Sequence, residues 1–177
     1  VLSRKGNILS DIKTLNIYSI FKNNLLKTIK DKAFLVAVSG GPDSLALAAL
    51  SKIYQNEKKS RAFFALIDHG LRKESSKEAF LVKKLLKKQK ISLNLIKMKT
   101  EIKSNIQSIA RKERYKLLIE FCKKKKIRNI LTGHHSDDQI ETFLIRLSRG
   151  SGVQGLSSMS KISKLENKIT LLRPLLD

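Results

Sequence analysis

The chain is short of cysteine, proline and acid. One cysteine, Cys122, among 177 residues excludes an internal disulfide and any site built from several thiolates, and it fits a reducing, cytoplasmic setting. Its place in an apolar helical register predicts a packed thiol. Two prolines leave no proline-rich linker, and there is no internal repeat, so one domain is expected. Long apolar runs are also missing. No stretch reaches the roughly 20 residues that span a bilayer, and no signal-peptide pattern opens the chain, so no membrane partner is expected. The hydrophobic share of 41% suffices for one core. Acidic residues number 15 against 37 basic ones, a net charge of +22. Such an excess favours an acidic polymer, most simply nucleic acid. Lysines outnumber arginines 28 to 9, however, and solvated lysine-rich helix faces account for the charge equally well.

Residues 34–47, FLVAVSGGPDSLAL, carry the strongest signal. An apolar run enters Ser39-Gly40-Gly41-Pro42-Asp43-Ser44 and a second apolar run leaves it, the order of a buried strand, a tight loop and a helix. The glycines allow a sharp bend and close approach of backbone N–H groups to a ligand. Pro42 suits the first helical turn. Unpaired N–H groups and the helix dipole then point at one place, which makes an anion site, with a phosphate chain as the expected occupant. Neither GxxxxGK[ST] nor GxGxxG is present.

Further strands are expected at 62–67, 91–98, 128–132 and 169–172. Helices are expected at 8–30 (apolar line Ile17, Ile20, Phe21, Leu25, Ile29), 43–54, from a capping box at 75–78 through 88, and from a second box at 104–107 (stripe Ile106, Ile109, Ala110, Leu117, Leu118, Phe121). A last helix is capped by Ser136, with Ile140, Phe143, Leu144 and Leu147 facing inward. This alternation reads as an α/β fold, a Rossmann-like parallel sheet with helices on both faces. Residues 1–33 would form a helical segment packed on a domain of residues 34–177. Ligands on such sheets sit beyond the carboxyl ends of the strands. The loop 39–44, Asp68-His69-Gly70 and Gly133-His134-His135 each follow a strand, so all three should converge on one site.

At that site Asp68 could accept from a ribose hydroxyl or an adenine amine, or could simply shape a turn. Asp138 and Glu141, three apart, share a helix face and could seat a metal or an ammonium group. HExxH and paired cysteines are lacking, so Mg²⁺ carried with ATP fits better than a transition metal. Arg111 and Arg114 share one surface of their helix. Residues 146–156 form a glycine-rich exit bearing Arg146 and Arg149, either phosphate-binding or a plain helix end.

SGGPDS resembles the phosphate loop of the ATP pyrophosphatases, the PP-loop superfamily with its adenine nucleotide alpha hydrolase-like fold. Together with IDHGLRKES, NIQSIARKERY, TGHHSDDQIET, IRLSRGSGVQGL and LLRPLL, it resembles the N-terminal catalytic domain of bacterial tRNA(Ile)-lysidine synthetases. The resemblance implies that ATP adenylates the wobble cytidine of a tRNA(Ile) with a CAU anticodon. The ε-amine of L-lysine then displaces AMP, giving lysidine. It further implies that Ser39, Gly40, Gly41, Pro42, Asp43 and Ser44 hold the phosphates, with Asp43 on Mg²⁺ or orienting the loop. Asp68 and Gly133 would lie near the nucleoside, and His134 would position the base or accept a proton. Asp138 and Glu141 would hold the lysine ammonium and Arg114 its carboxylate, while Arg146 and Arg149 meet the tRNA. The tRNA-gripping C-terminal domains of that family lie outside these 177 residues. A tRNA thiolase of the same superfamily and a non-catalytic basic RNA-binding module are the competing readings; a lone cysteine speaks against the thiolase.

Overall fold

The computed structural model describes residues 15–29, 33–70, 74–98, 106–150 and 159–176. The helices are α1 (Asn16–Thr28), α2 (Pro42–Lys58), α3 (Ser75–Lys88), α4 (Ile106–Lys125) and α5 (Ser136–Ser148). The strands are β1 (Ala33–Val38), β2 (Arg61–Asp68), β3 (Leu93–Lys97), β4 (Asn129–Leu131), β5 (Ile162–Lys164) and β6 (Thr170–Leu172). They form one sheet in the order β3-β2-β1-β4-β6-β5. All neighbours are parallel except β5 and β6.

The central strands are buried on both faces, which explains their unbroken apolar runs. Side chains alternate across the sheet. Phe34, Val36 and Val38 join Phe21, Leu25, Leu47, Leu50 and Leu86 in one core layer. Ala33, Leu35, Ala65 and Ile67 join Leu118, Ile119 and Cys122 in the other. Helices α1, α2 and α3 thus cover one face and α4 the other. Chain order runs from β1 outward through β2 on one side and through β4 on the other. The switch point, where α/β sheets bind ligands, falls between β1 and β4.

Several expectations are corrected. β5, not foreseen, adds an antiparallel edge. On α1 the buried residues are Tyr18, Phe21 and Leu25, whereas Ile17 and Ile20 are exposed. On α4 they are Ala110, Leu118, Ile119 and Cys122, and Ile106 is exposed. Most clearly, Ile140, Phe143, Leu144 and Leu147 of α5 do not face inward: each is between 44% and 59% exposed. No residue of α5 is buried. Glu74, not Ser75, is the N-cap of α3, with no side-chain cap bond. The box expected at 104–107 begins at residues outside those described.

Candidate active site at the carboxyl edge of the sheet

Gly133 records how closely the two sides of the switch point approach. A Cβ there would lie 2.9 Å from the carbonyl oxygen of Asp43, 3.0 Å from its carbonyl carbon and 3.2 Å from the Ser44 nitrogen. Only a glycine lets the segment after β4 run this close to the start of α2.

The glycine loop is braced by Ser44, which is buried. Its Oγ accepts from the backbone N–H groups of Ser39 and Gly40, each at 3.1 Å, and from Ser39 Oγ at 3.1 Å; it donates to the Gly41 carbonyl at 2.9 Å. Gly40 holds φ at 96°, and a Cβ on it would sit 3.1 Å from Val82 Cγ2. α2 starts after Gly41 with Pro42 in its first turn and no side-chain cap. The first-turn N–H groups are therefore left for an anion. Asp43 is half exposed in the same turn.

Asp68 is buried and already engaged. Its carboxylate accepts from Ser76 Oγ at 2.6 Å and from the Gly70 N–H at 3.0 Å. The Ser76 hydroxyl is the main reason its pKa lies below the ordinary carboxylate range. Beside it, His69 Nε2 accepts from Arg114 Nε and Nη2 at 3.2 and 3.1 Å. The proton then belongs on Nδ1, which is buried without a partner. Burial, then the Arg114 charge, push the His69 pKa down.

His134 Nδ1 lies 2.9 Å from Thr132 Oγ1. Burial first, and the Arg173 charge second, lower its pKa, so a neutral ring able to accept a proton is favoured at neutral pH. His135, not Ser136, is the N-cap of α5. Its Nδ1 accepts from the Asp137 N–H at 3.2 Å, and its own N–H donates to Asp138 Oδ2 at 2.8 Å. Its Nε2 faces Asp43 Oδ2 at 3.6 Å and Asp138 Oδ2 at 3.8 Å.

Three cavities adjoin along this edge. The central one, about 240 Å³, is lined by Ser39, Gly41, Asp43, Ser44, His69, Arg111, Arg114, Gly133, His134 and Asp138. Toward β2, Gly40, Asp68, Glu78 and Val82 line a second. Toward β6, Arg111, His134, Asp138, Glu141, Arg146 and Arg173 line a third. The loop, His134, Arg114 and Asp138 therefore share the central cavity. Asp68 and Glu141 stand in the flanking ones, on opposite sides. Arg149 caps α5 and is exposed. Arg72 and residues 151–156 lie outside the described residues. Sequence reasoning did not single out His135 as a site residue, and it gave His69 no link to Arg114. His135 and Asp138 are three positions apart, so the capping relation was visible in principle. His69 and Arg114 are 45 residues apart, and no local signal joins them.

The profile of the PP-loop domain family matches residues 14–177. The chain belongs to that family. Among curated relatives, the tRNA(Ile)-lysidine synthase of Wolbachia pipientis wMel is 51% identical over 147 residues, 80% of this chain and 33% of that one. That of Orientia tsutsugamushi is 43% identical over 143 residues, 79% of this chain and 32% of that one. That of Bradyrhizobium diazoefficiens is 39% identical over 148 residues, 82% of this chain and 41% of that one. The chain spans about a third of the length of the two nearest of these three. Among solved structures, the U34-tRNA thiolase NcsA of Methanococcus maripaludis superposes with a TM-score of 0.70 at 20% identity, over 90% of this chain and 58% of that one. Candida glabrata FMN adenylyltransferase, in complex with FMN and an ATP analogue, gives 0.54 at 13% identity, over 99% and 56%. These two likenesses establish the fold alone. Among the described residues, no PP-loop helix is long and apolar enough to cross a membrane.

Proposed function

We propose that this PP-loop domain carries out ATP-dependent ligation of L-lysine to the wobble cytidine of a CAU-anticodon tRNA(Ile), through an adenylated cytidine. The observation that carries the reading is the shared cavity. It sets an uncapped helix start and a glycine loop beside a neutral histidine and a carboxylate, in a chain whose relatives bear the lysidine synthase name. The ATP phosphates would lie on the loop Ser39–Ser44, against the first turn of α2. Ser44 would brace that loop and not bind phosphate through its free side chain. Asp68, tied to Ser76, would shape the nucleoside side, with Gly133 keeping the floor close.

A Mg²⁺ ion fits this donor set in one way only. Among the described residues no three His, Cys, Asp or Glu side chains cluster as ligands, so Asp43 would supply a single carboxylate and the phosphates and waters the rest. The ion would neutralise charge developing on the α-phosphate. His134 would take the proton released when the ε-amine attacks. Asp138 and Glu141 would hold the lysine ammonium, and Arg146 with Arg149 would meet the tRNA backbone. A thiolase reading draws no support from Cys122. It is fully buried, and burial pushes its pKa up to about 12, the opposite of a sulfur-transfer thiolate.

Two variants separate the steps. Asp43→Ala is expected to abolish adenylation. Glu141→Ala is expected to raise the KM for lysine about tenfold or more while adenylation persists, as for loss of one charge-assisted contact. Equal loss of both steps in Glu141→Ala refutes the lysine seat.

A further inference from the structure

Arg114 reaches the central cavity without an acid to pair with. It is half-buried on α4 and shares that cavity with Ser39, Gly41, Asp43 and Ser44. Among the described residues no carboxylate lies within ion-pair distance of its guanidinium. Burial is the main influence that lowers its pKa, yet an arginine keeps its proton. The loop Ser39–Ser44 carries no lysine, so a cation for a phosphate chain has to come from another element. Arg111 lines the cavity as well, but its guanidinium lies over the Tyr115 ring, 5.4 Å from the centroid.

His69 is the one group that holds Arg114. Its Nε2 accepts from Arg114 Nε at 3.2 Å and from Nη2 at 3.1 Å. One edge of the fork is thereby fixed, and Nη1 has no partner among the described residues. A carboxylate in this place would bind the same edge more strongly and would neutralise it. A neutral imidazole leaves the positive charge intact for an anion. The arrangement has a cost. With Nε2 accepting, the ring proton sits on Nδ1, which is buried without a partner. Asp68, next in the chain, does not relieve it, because its carboxylate is taken by Ser76 and Gly70. A buried unsatisfied donor calls for a reason, and the need for a neutral acceptor on Arg114 supplies one.

We propose that His69 is a positioning residue, whose neutral ring holds Arg114 in the central cavity with its charge undiminished for the phosphate chain of the nucleotide. The inference rests on the ATP reading of the glycine loop. His69 acts through Arg114 and touches no substrate itself.

The test is calorimetric titration of the 177-residue chain with Mg–ATP, adenosine and L-lysine. Wild type is compared with His69→Leu, His69→Gln, Arg114→Met and the double variant His69→Leu, Arg114→Met. Arg114→Met and His69→Leu should each weaken ATP about tenfold and leave adenosine unchanged. The double variant should bind ATP no more weakly than Arg114→Met alone, because the two residues act as one unit. His69→Gln, whose amide oxygen can take the place of Nε2, should keep ATP affinity within about threefold of wild type. Thermal melts accompany every variant. Nitrogen-15 spectra of the wild-type histidines, assigned by the signal lost in His69→Gln, should show a neutral His69 ring with its proton on Nδ1 at neutral pH. If His69→Leu does not fold, those spectra and Arg114→Met decide. The proposal is overturned by an imidazolium or an Nε2-protonated ring, by wild-type ATP affinity in Arg114→Met or in folded His69→Leu, or by single effects that add in the double variant. It is overturned as well if His69→Gln fails as badly as His69→Leu, or if His69→Leu weakens lysine and spares ATP. A wild-type chain that does not bind ATP removes the phosphate reading of the loop, and this role with it. ATP binding that His69→Leu leaves unaltered removes the role alone.

Discussion

Replacing Gly133 by alanine tests the contact that brings the two halves of the site together. The added methyl group would stand 2.9 Å from the Asp43 carbonyl oxygen and 3.0 Å from its carbon. Favourable contacts of this kind lie near 3.5–4.0 Å, so the start of α2 must retreat by about half an ångström or more. Both partners are backbone, and neither can swing aside as a side-chain tip would. Overpacking of this sort costs about 1–3 kcal/mol, a fall in Tm of roughly 3–10 °C for a chain of this size. The retreat also moves the N–H groups of the first turn, so ATP affinity should drop about tenfold. Gly70→Ala is the control. Gly70 has φ of 61° with open space around its Cβ position. It should lose about 1–2 kcal/mol to left-handed strain alone and keep its ATP affinity. Thermal melting and ATP titration of both variants give the readout. A Gly133→Ala chain that melts within a degree of wild type and binds ATP normally refutes the close-approach argument.

Three further outcomes are expected. His69 and His134 both have folded pKa values below the ordinary 6.5; the unfolded chain then binds more protons below that value, so stability rises with pH through the window. Acidification below about pH 6.5 should lower Tm in the wild type more steeply than in a His69→Asn, His134→Asn double variant, and equal slopes would contradict this. Ser44→Ala leaves the Ser39 and Gly40 N–H groups without their acceptor and should cost about 1–3 kcal/mol in urea unfolding without ligand; an unchanged midpoint would deny Ser44 its bracing role. Cys122 should resist thiol reagents in the folded chain and react fully in denaturant, as mass spectrometry would show; rapid native labelling would contradict its burial.

Local signals carried the parts of the fold that are themselves local. The apolar run of β1, the glycine loop and Pro42 at the start of α2 lie within ten residues of one another, and each follows from backbone sterics. The placement of three strand-end segments on one edge followed from β–α alternation alone. What stayed hidden depends on distant neighbours. Ser76 was read as part of a capping box, yet Asp68 captures its hydroxyl from eight residues upstream. Ile140, Phe143, Leu144 and Leu147 keep a perfect helical spacing, and periodicity does not tell whether the face they form is covered. β5 is three residues long, too short for an alternation to register. Arg173 stands next to a proline after a strand, an ordinary sequence position. Its burial exists only once β6 is paired with β4.

In the proposed enzyme one sheet edge seats a nucleoside triphosphate next to an amino acid. Incubation of the chain with ATP, a CAU-anticodon tRNA(Ile) transcript and isotopically labelled L-lysine tests it most directly. Label should enter the tRNA only with ATP present, with one AMP released per lysine incorporated. ATP turnover indifferent to lysine, with no label in the tRNA, would contradict it.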